Sequence, residues 1–366
     1  LLIRGIFMYI FPYHNQLDTV SFKNMLDTKN IHNSYKIFWL KSIIHHVEND
    51  EQVIPFSSIV FDMFKNSYDF INKYHLKFGG SDVIPRVIMS YNTQSKNDFL
   101  SQLKENDFDK LTKDITAFVP YRLLTPFYQT HLVGKKDILK HDIIIEKSMN
   151  DTLAFYTINR KESSIFINEA WMSYIKDNIG IIKAWIDHEL VHFLQRRNPS
   201  IPNIPFKVNP QTSRNLVKAK KIWDEAISIN PALNFDLFSN KIFTKESTTI
   251  HGPLSIDHFL PWSFVAHDQL WNLIPTHRNI NSSKNNNLPP EQLIDPYIEI
   301  QYDFYVTIHS FASRAIIEEY HTLMSNVQLD NNVMDRSHFY NMLYDNTHSL
   351  YKIAKNNGYS IWQYNE

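Results

Sequence analysis

Residues Leu254-Ser255-Ile256-Asp257-His258-Phe259-Leu260-Pro261-Trp262-Ser263 set an acid and an imidazole side by side inside an apolar run. Leu254–Leu260 has the composition of a short strand, and neighbouring side chains on a strand point to opposite faces. Asp257 and His258 therefore face different ways. One can hold a metal ion while the other acts as an acid or base. Downstream come Asn272, Asn281 and Lys284, with Pro261, Pro275 and Pro289 stiffening the connections between them.

Outward from this stretch the chain is mostly helical in pattern. Tyr35–Val47, Phe56–Tyr74, Asp98–Leu103 and Phe108–Phe118 carry apolar residues at three- and four-residue spacing. Thr152–Ile167 changes to period two around Asn159-Arg160-Lys161-Glu162, a hairpin signal. Helix resumes at Trp171–Lys176, with a left-handed stop expected at Asn178-Ile179-Gly180. A further helix is expected from about Ile181 to Arg197. Pro199, Pro202, Pro205 and Pro210 then predict an extended connector, followed by a helix over Arg214–Ile227. Lys241–Pro290 mixes short strands and loops. Two long helical patterns, Tyr297–Met324 and Asp335–Asn356, come last.

Composition narrows the function classes. The 366 residues are 43% hydrophobic, 14% aromatic and 20% charged, which suits a folded chain rather than a disordered one. Seven glycines, none at G-x-G-x-x-G or G-x-x-x-x-G-K spacing, argue against a glycine-rich phosphate cradle. The absence of cysteine removes disulfides, thiolate metal sites and thiol nucleophiles. A net charge of -1 means that nucleic acid would have to be met by a local basic surface or a metal. No stretch has the length and apolarity of a membrane span, so no membrane partner is expected. Leu1 to Phe11 is apolar apart from Arg4; Met8 is a candidate natural start, and a cytoplasmic location is expected.

The segment Leu254–Pro289 resembles the HNH nuclease motif in its H-N-N form. His258 supplies the first letter, Asn272 the second, 14 residues on, and Asn281 the third, 23 on. Its flanks are similar to the HNH domain of RNA-guided CRISPR nucleases, and more so to bacterial stand-alone HNH proteins with an Asp-His-Phe-x-Pro-Trp-Ser core. The resemblance implies a β-hairpin and helix clamping one divalent metal. His258 would be the general base, Asp257 and Asn281 the metal ligands, and Asn272 a structural brace. An Asp carboxylate with an Asn carbonyl is an oxygen pair suited to Mg²⁺ or Mn²⁺. Lys284 would contact phosphate, whereas His267 and His277 would be solvated loop residues. The implied activity is hydrolysis of DNA, double-stranded by preference, often in bacterial defence against foreign DNA and with a protein partner of such a system.

A rival motif is His188-Glu189-Leu190-Val191-His192, the H-E-x-x-H zinc peptidase pattern. The metzincin continuation is absent: Gln195 and Asn198 stand where it needs Gly and His. Ile182, Ile186, Leu190 and Phe193 form an ordinary apolar stripe beside the two histidines. Leu190–Lys221 carries Arg196, Arg197, Lys207, Arg214, Lys218, Lys220 and Lys221, with no Asp or Glu. Such a strip can neutralise phosphates. The expected architecture is mainly α with a small ββα-metal nuclease domain, α+β overall. Residues 1–230 would form a mostly helical accessory and DNA-positioning part, 236–292 the nuclease domain, and 293–366 a C-terminal helical segment. A zinc metallopeptidase, or a scaffold that binds nucleic acid without cutting it, are the alternatives.

Overall fold

The computed structural model describes residues 11–27, 31–93, 95–105, 108–210, 216–323 and 333–364. The chain divides into two compact units, Leu1–Pro199 and Ser200–Glu366. Residues 236–292 and the helices of 293–366 thus share the second unit.

In the first unit the elements are α1 (Thr19–Asn24), α2 (Tyr35–Glu48), β1 (Val53–Pro55), α3 (Phe56–Asn72), α4 (Val83–Ser90), α5 (Lys96–Glu105), α6 (Phe108–Thr116), α7 (Val119–Leu132), α8 (Asp137–Asn150), β2 (Tyr156–Asn159), β3 (Ser164–Ile167), α9 (Glu169–Asp177) and α10 (Ile179–Arg197). The expected hairpin is β2–β3, with Thr157 opposite Phe166. A third strand that periodicity did not reveal, β1, adds to its edge and pairs Ile54 with Ile165. Three residues are too few to show a period. Trp39, Phe38, Phe22 and Trp171 are fully enclosed in this unit's core.

The second unit holds α11 (Ile204–Val208), α12 (Val217–Ile229), β4 (Phe235–Asp236), β5 (Lys241–Ile242), α13 (Lys245–His251), β6 (Leu254–His258), α14 (Trp262–Val265), β7 (Leu273–His277), α15 (Arg278–Lys284), α16 (Ile294–Ile308), α17 (Arg314–His321) and α18 (Arg336–Asn356). β6 and β7 form an antiparallel pair with Asp257 opposite Ile274 and His258 opposite Leu273. α12 packs on both strands. Its Trp223 stacks on Phe304 of α16 at 3.7 Å between ring centroids.

Three local expectations are corrected. Asn178 (φ -119) ends α9 and begins α10 with no left-handed residue, so Gly180 lies inside a helix. The proline-rich connector contains α11, because Pro205 occupies a first-turn position whose N–H has no helical acceptor. The long pattern at Tyr297–Met324 is two helices, α16 and α17. The Ser310 hydroxyl donates to Thr307 O at 2.7 Å, taking a carbonyl from the helix, and Ser313 starts α17 in an extended conformation.

Candidate active site

The hairpin β6–β7 followed by α15 makes a ββα unit, and the segment entering β6 depends on one glycine. Gly252 has φ 84, and a Cβ there would lie 3.2 Å from Arg278 Cβ and 3.1 Å from Asn279 Oδ1. Glycine thus lets the chain before β6 pass against the start of α15.

Asn272 sits in the single 3₁₀ turn before β7 and is fully buried. Its amide donates to Leu260 O at 3.0 Å, and its carbonyl accepts from Leu260 N at 2.9 Å. One side chain thereby extends the β6–β7 ladder past the strand ends and holds the segment following His258. At the other end Asp236, also fully buried, accepts from Thr276 Oγ1 at 3.0 Å and from His277 N at 2.9 Å. His277 Nδ1 lies 2.6 Å from the same carboxylate, and Nε2 lies 3.1 Å from Ser247 Oγ. His277, expected in solvent, is instead fully buried and ties β7 to β4 and α13.

His258 is 4% exposed, and its Nε2 lies 2.8 Å from Asp268 Oδ1. In the neutral imidazole the carboxylate accepts the Nε2 proton, which leaves Nδ1 as the basic nitrogen. The sequence reading assigned Asp268 no role. Its ten-residue separation from His258 follows no helix or strand period, and the segment between them, which contains α14, brings the two together only in three dimensions. His267, next to this pair, is pushed down to about 4, first by burial and then by its neighbours His258 and Lys207, with Asp268 opposing. It stays neutral at physiological pH.

Asp257 leaves the opposite face of β6. Its Oδ2 is 2.9 Å from Lys284 Nζ, at an angle that makes no hydrogen bond, and is otherwise a buried oxygen without a hydrogen-bond partner. Lys284, expected at a phosphate, is fully buried, and its ammonium donates to His258 O at 2.7 Å. That placement corrects the phosphate assignment: the charge is spent inside the domain, neutralising Asp257 and fixing the carbonyl end of β6. Asn281, on α15, donates through Nδ2 to Ser255 Oγ at 2.9 Å and to Ile256 O at 3.2 Å. These bonds set the amide and leave Oδ1 as its acceptor atom beside β6. Asp257 Oδ2 and Asn281 Oδ1 are therefore hard oxygens on adjoining elements, the first buried, without a hydrogen bond and with the Lys284 ammonium as its counter-charge. They fit a hydrated Mg²⁺ or Mn²⁺, which keeps several waters and needs few protein ligands.

Residues 236–290 match the family model described as HNH endonuclease. They form an HNH endonuclease domain. Neither the curated proteins nor the solved structures gave a match to the chain.

The C-terminal helices back the HNH domain. Tyr297 of α16 donates to Trp271 O and stacks on Phe259 at 3.8 Å, while Gln301 donates to Leu273 O at 2.7 Å. Glu319 of α17 accepts from Leu270 N at 2.9 Å, two residues beyond Asp268. Lys207 of α11 is buried and donates to Phe264 O at 2.6 Å and Pro202 O at 2.8 Å. Burial pulls its amine down to about 7.

The basic strip is divided between the two units, and its members have different surroundings. Lys207 is thus internal. Arg197 stacks 3.8 Å over Phe193 and donates to His32 O at 2.7 Å within the first unit. Arg196 is exposed in that same unit. Arg214 lies outside the described residues. On α12, Lys218 and Lys221 are exposed, and Lys220 pairs with Asp224 at 2.7 Å. His188 and His192 pack edge-to-face at 4.4 Å, and burial raises the Glu189 carboxyl, with Asp27 adding to the rise. Among the described residues no three His, Asp or Glu side chains gather to hold a metal. The peptidase pattern therefore has no third ligand there.

Proposed function

We propose that this chain is a metal-dependent endonuclease that hydrolyses DNA phosphodiester bonds in its HNH domain. The observation that carries the reading is His258, oriented through Nε2 by Asp268, on the strand whose other face presents Asp257 toward Asn281 and α15. His258 takes a proton from the attacking water at Nδ1. Asp268 holds the ring and balances the imidazolium that results. Asn272 keeps Leu260 in place, so the imidazole does not turn away from its target. Asp257 and Asn281 would hold Mg²⁺ or Mn²⁺, which supplies positive charge for the phosphate and the leaving oxygen. Lys218 and Lys221, exposed on the helix that packs against β6 and β7, are the favoured contacts to duplex phosphates. By resemblance, the reaction would serve bacterial defence against foreign DNA.

The test is plasmid cleavage with Mg²⁺, with Mn²⁺ and with EDTA, comparing the wild type with His258→Ala. General-base catalysis is worth about 10²–10⁴ in rate, so the variant should lose at least about a hundredfold while still shifting DNA in a gel. Cleavage within about tenfold of wild type, or equal cleavage in EDTA, would refute the assignment.

A further inference from the structure

A second site lies in the first unit, apart from the nuclease chemistry. The start of α2, one side of α7 and the first turns of α8 enclose a cleft of about 510 Å³. Lys36 and Arg122 both line it, and among the described residues neither makes an ion pair. Lys36 is pulled down by burial and by the neighbouring Arg122, with Asp27 opposing. Across the cleft, burial and the charge of Arg122 also lower His141. The acid on its wall, Asp137, is occupied by Lys140 at 2.7 Å. Cationic side chains thus outnumber the acids, Asp137 on the wall and Asp27 nearby, and an excess of positive charge in a partly desolvated space favours an anion that joins it.

The lining also narrows the anion. A lysine ammonium beside an arginine fork matches the oxygens of a phosphate. A phosphate by itself is far smaller than this cleft, whose volume falls in the range of about 300–1,000 Å³ typical of small-molecule sites. The remaining wall includes a ring surface. Phe118 is 48% exposed, carries the Arg122 guanidinium 4.6 Å over its face, and meets His141 edge-on at 5.6 Å. A half-exposed ring with a cation over one face suits a planar heterocycle attached to the phosphate.

We propose that the cleft between α2, α7 and α8 binds a free nucleoside monophosphate, with Lys36 and Arg122 on the phosphate and Phe118 against the base. The concave shape favours a small molecule over a duplex, whose phosphates need an extended surface. Calorimetric titration of the full-length chain with AMP, adenosine, inorganic phosphate and the single strand (dT)8 tests this. AMP should bind at least about tenfold more tightly than adenosine or phosphate. Lys36→Gln/Arg122→Gln should weaken it by about tenfold or more, the loss expected for hydrogen bonds to a charged group. Phe118→Ala should weaken AMP more than it weakens phosphate, since the ring faces the base and also carries Arg122. The double variant relieves like-charge repulsion, so its melting temperature should not fall, and Phe118→Ala provides an independent readout. Absence of AMP binding at millimolar concentration would overturn the proposal. So would equal affinity for AMP and phosphate, an unaltered double variant, or (dT)8 binding more tightly than AMP, which would assign the site to a strand.

Discussion

Asp268→Ala removes the carboxylate 2.8 Å from His258 Nε2 and nothing else from the proposed machinery. A hydrogen bond to a charged group contributes about 1.5–3 kcal/mol. Each 1.36 kcal/mol is a factor of ten in rate, so the expected loss is about 10–150-fold in kcat. The loss falls on kcat because Asp268 acts on the base and not on the DNA. Single-turnover plasmid cleavage at saturating enzyme and Mg²⁺ measures it, with DNA affinity followed in parallel by gel shift. Asp268 is partly exposed, its side chain 28% accessible, so the fold should tolerate the change. Asp268→Asn separates orientation from charge. Its amide oxygen can still accept from Nε2–H, so that variant should recover part of the rate. A kcat for Asp268→Ala within about threefold of wild type would refute the reasoning, since that is below what such a bond contributes. So would an Asn variant no better than the Ala one.

Asn272→Ala should destabilise the second unit by about 2–4 kcal/mol, because Leu260 N and O are both left buried without partners; urea denaturation reads it. Lys284→Met should cost about 3–5 kcal/mol in EDTA by leaving the Asp257 carboxylate buried without its cation, and added Mg²⁺ should restore part of the loss in thermal melts. His267 gives a pH signature. Its folded value of about 4 lies below the ordinary 6.5, so between those values the unfolded chain binds the extra proton. Stability should fall as pH drops from about 6.5 toward 4, by up to about 3 kcal/mol. His267→Asn should flatten that slope, and an identical slope in the variant would remove His267 as its source.

The ββα segment was legible because its signals are local. A short strand places Asp257 and His258 on opposite faces whatever surrounds them, and the intervals to Asn272 and Asn281 are properties of the chain. The apolar stripe of α10 and the β2–β3 hairpin were visible for the same reason. What sequence left undetermined was the surroundings of each charged side chain. Lys284, and Lys207 and Arg197 of the basic run before it, look alike in the sequence. One is buried against Asp257, one caps the carbonyls of Pro202 and Phe264, and one lies over Phe193. His277 appeared to be a loop residue until β4 supplied Asp236 from 41 positions away. Asp268 became the partner of His258 through the return of the segment that contains α14, just beyond which Glu319 holds Leu270 from α17. Periodicity reports which face of an element is apolar, but a charge's role depends on the groups that pack over it. Those groups come from distant parts of the chain, so their assignment belongs to the tertiary structure.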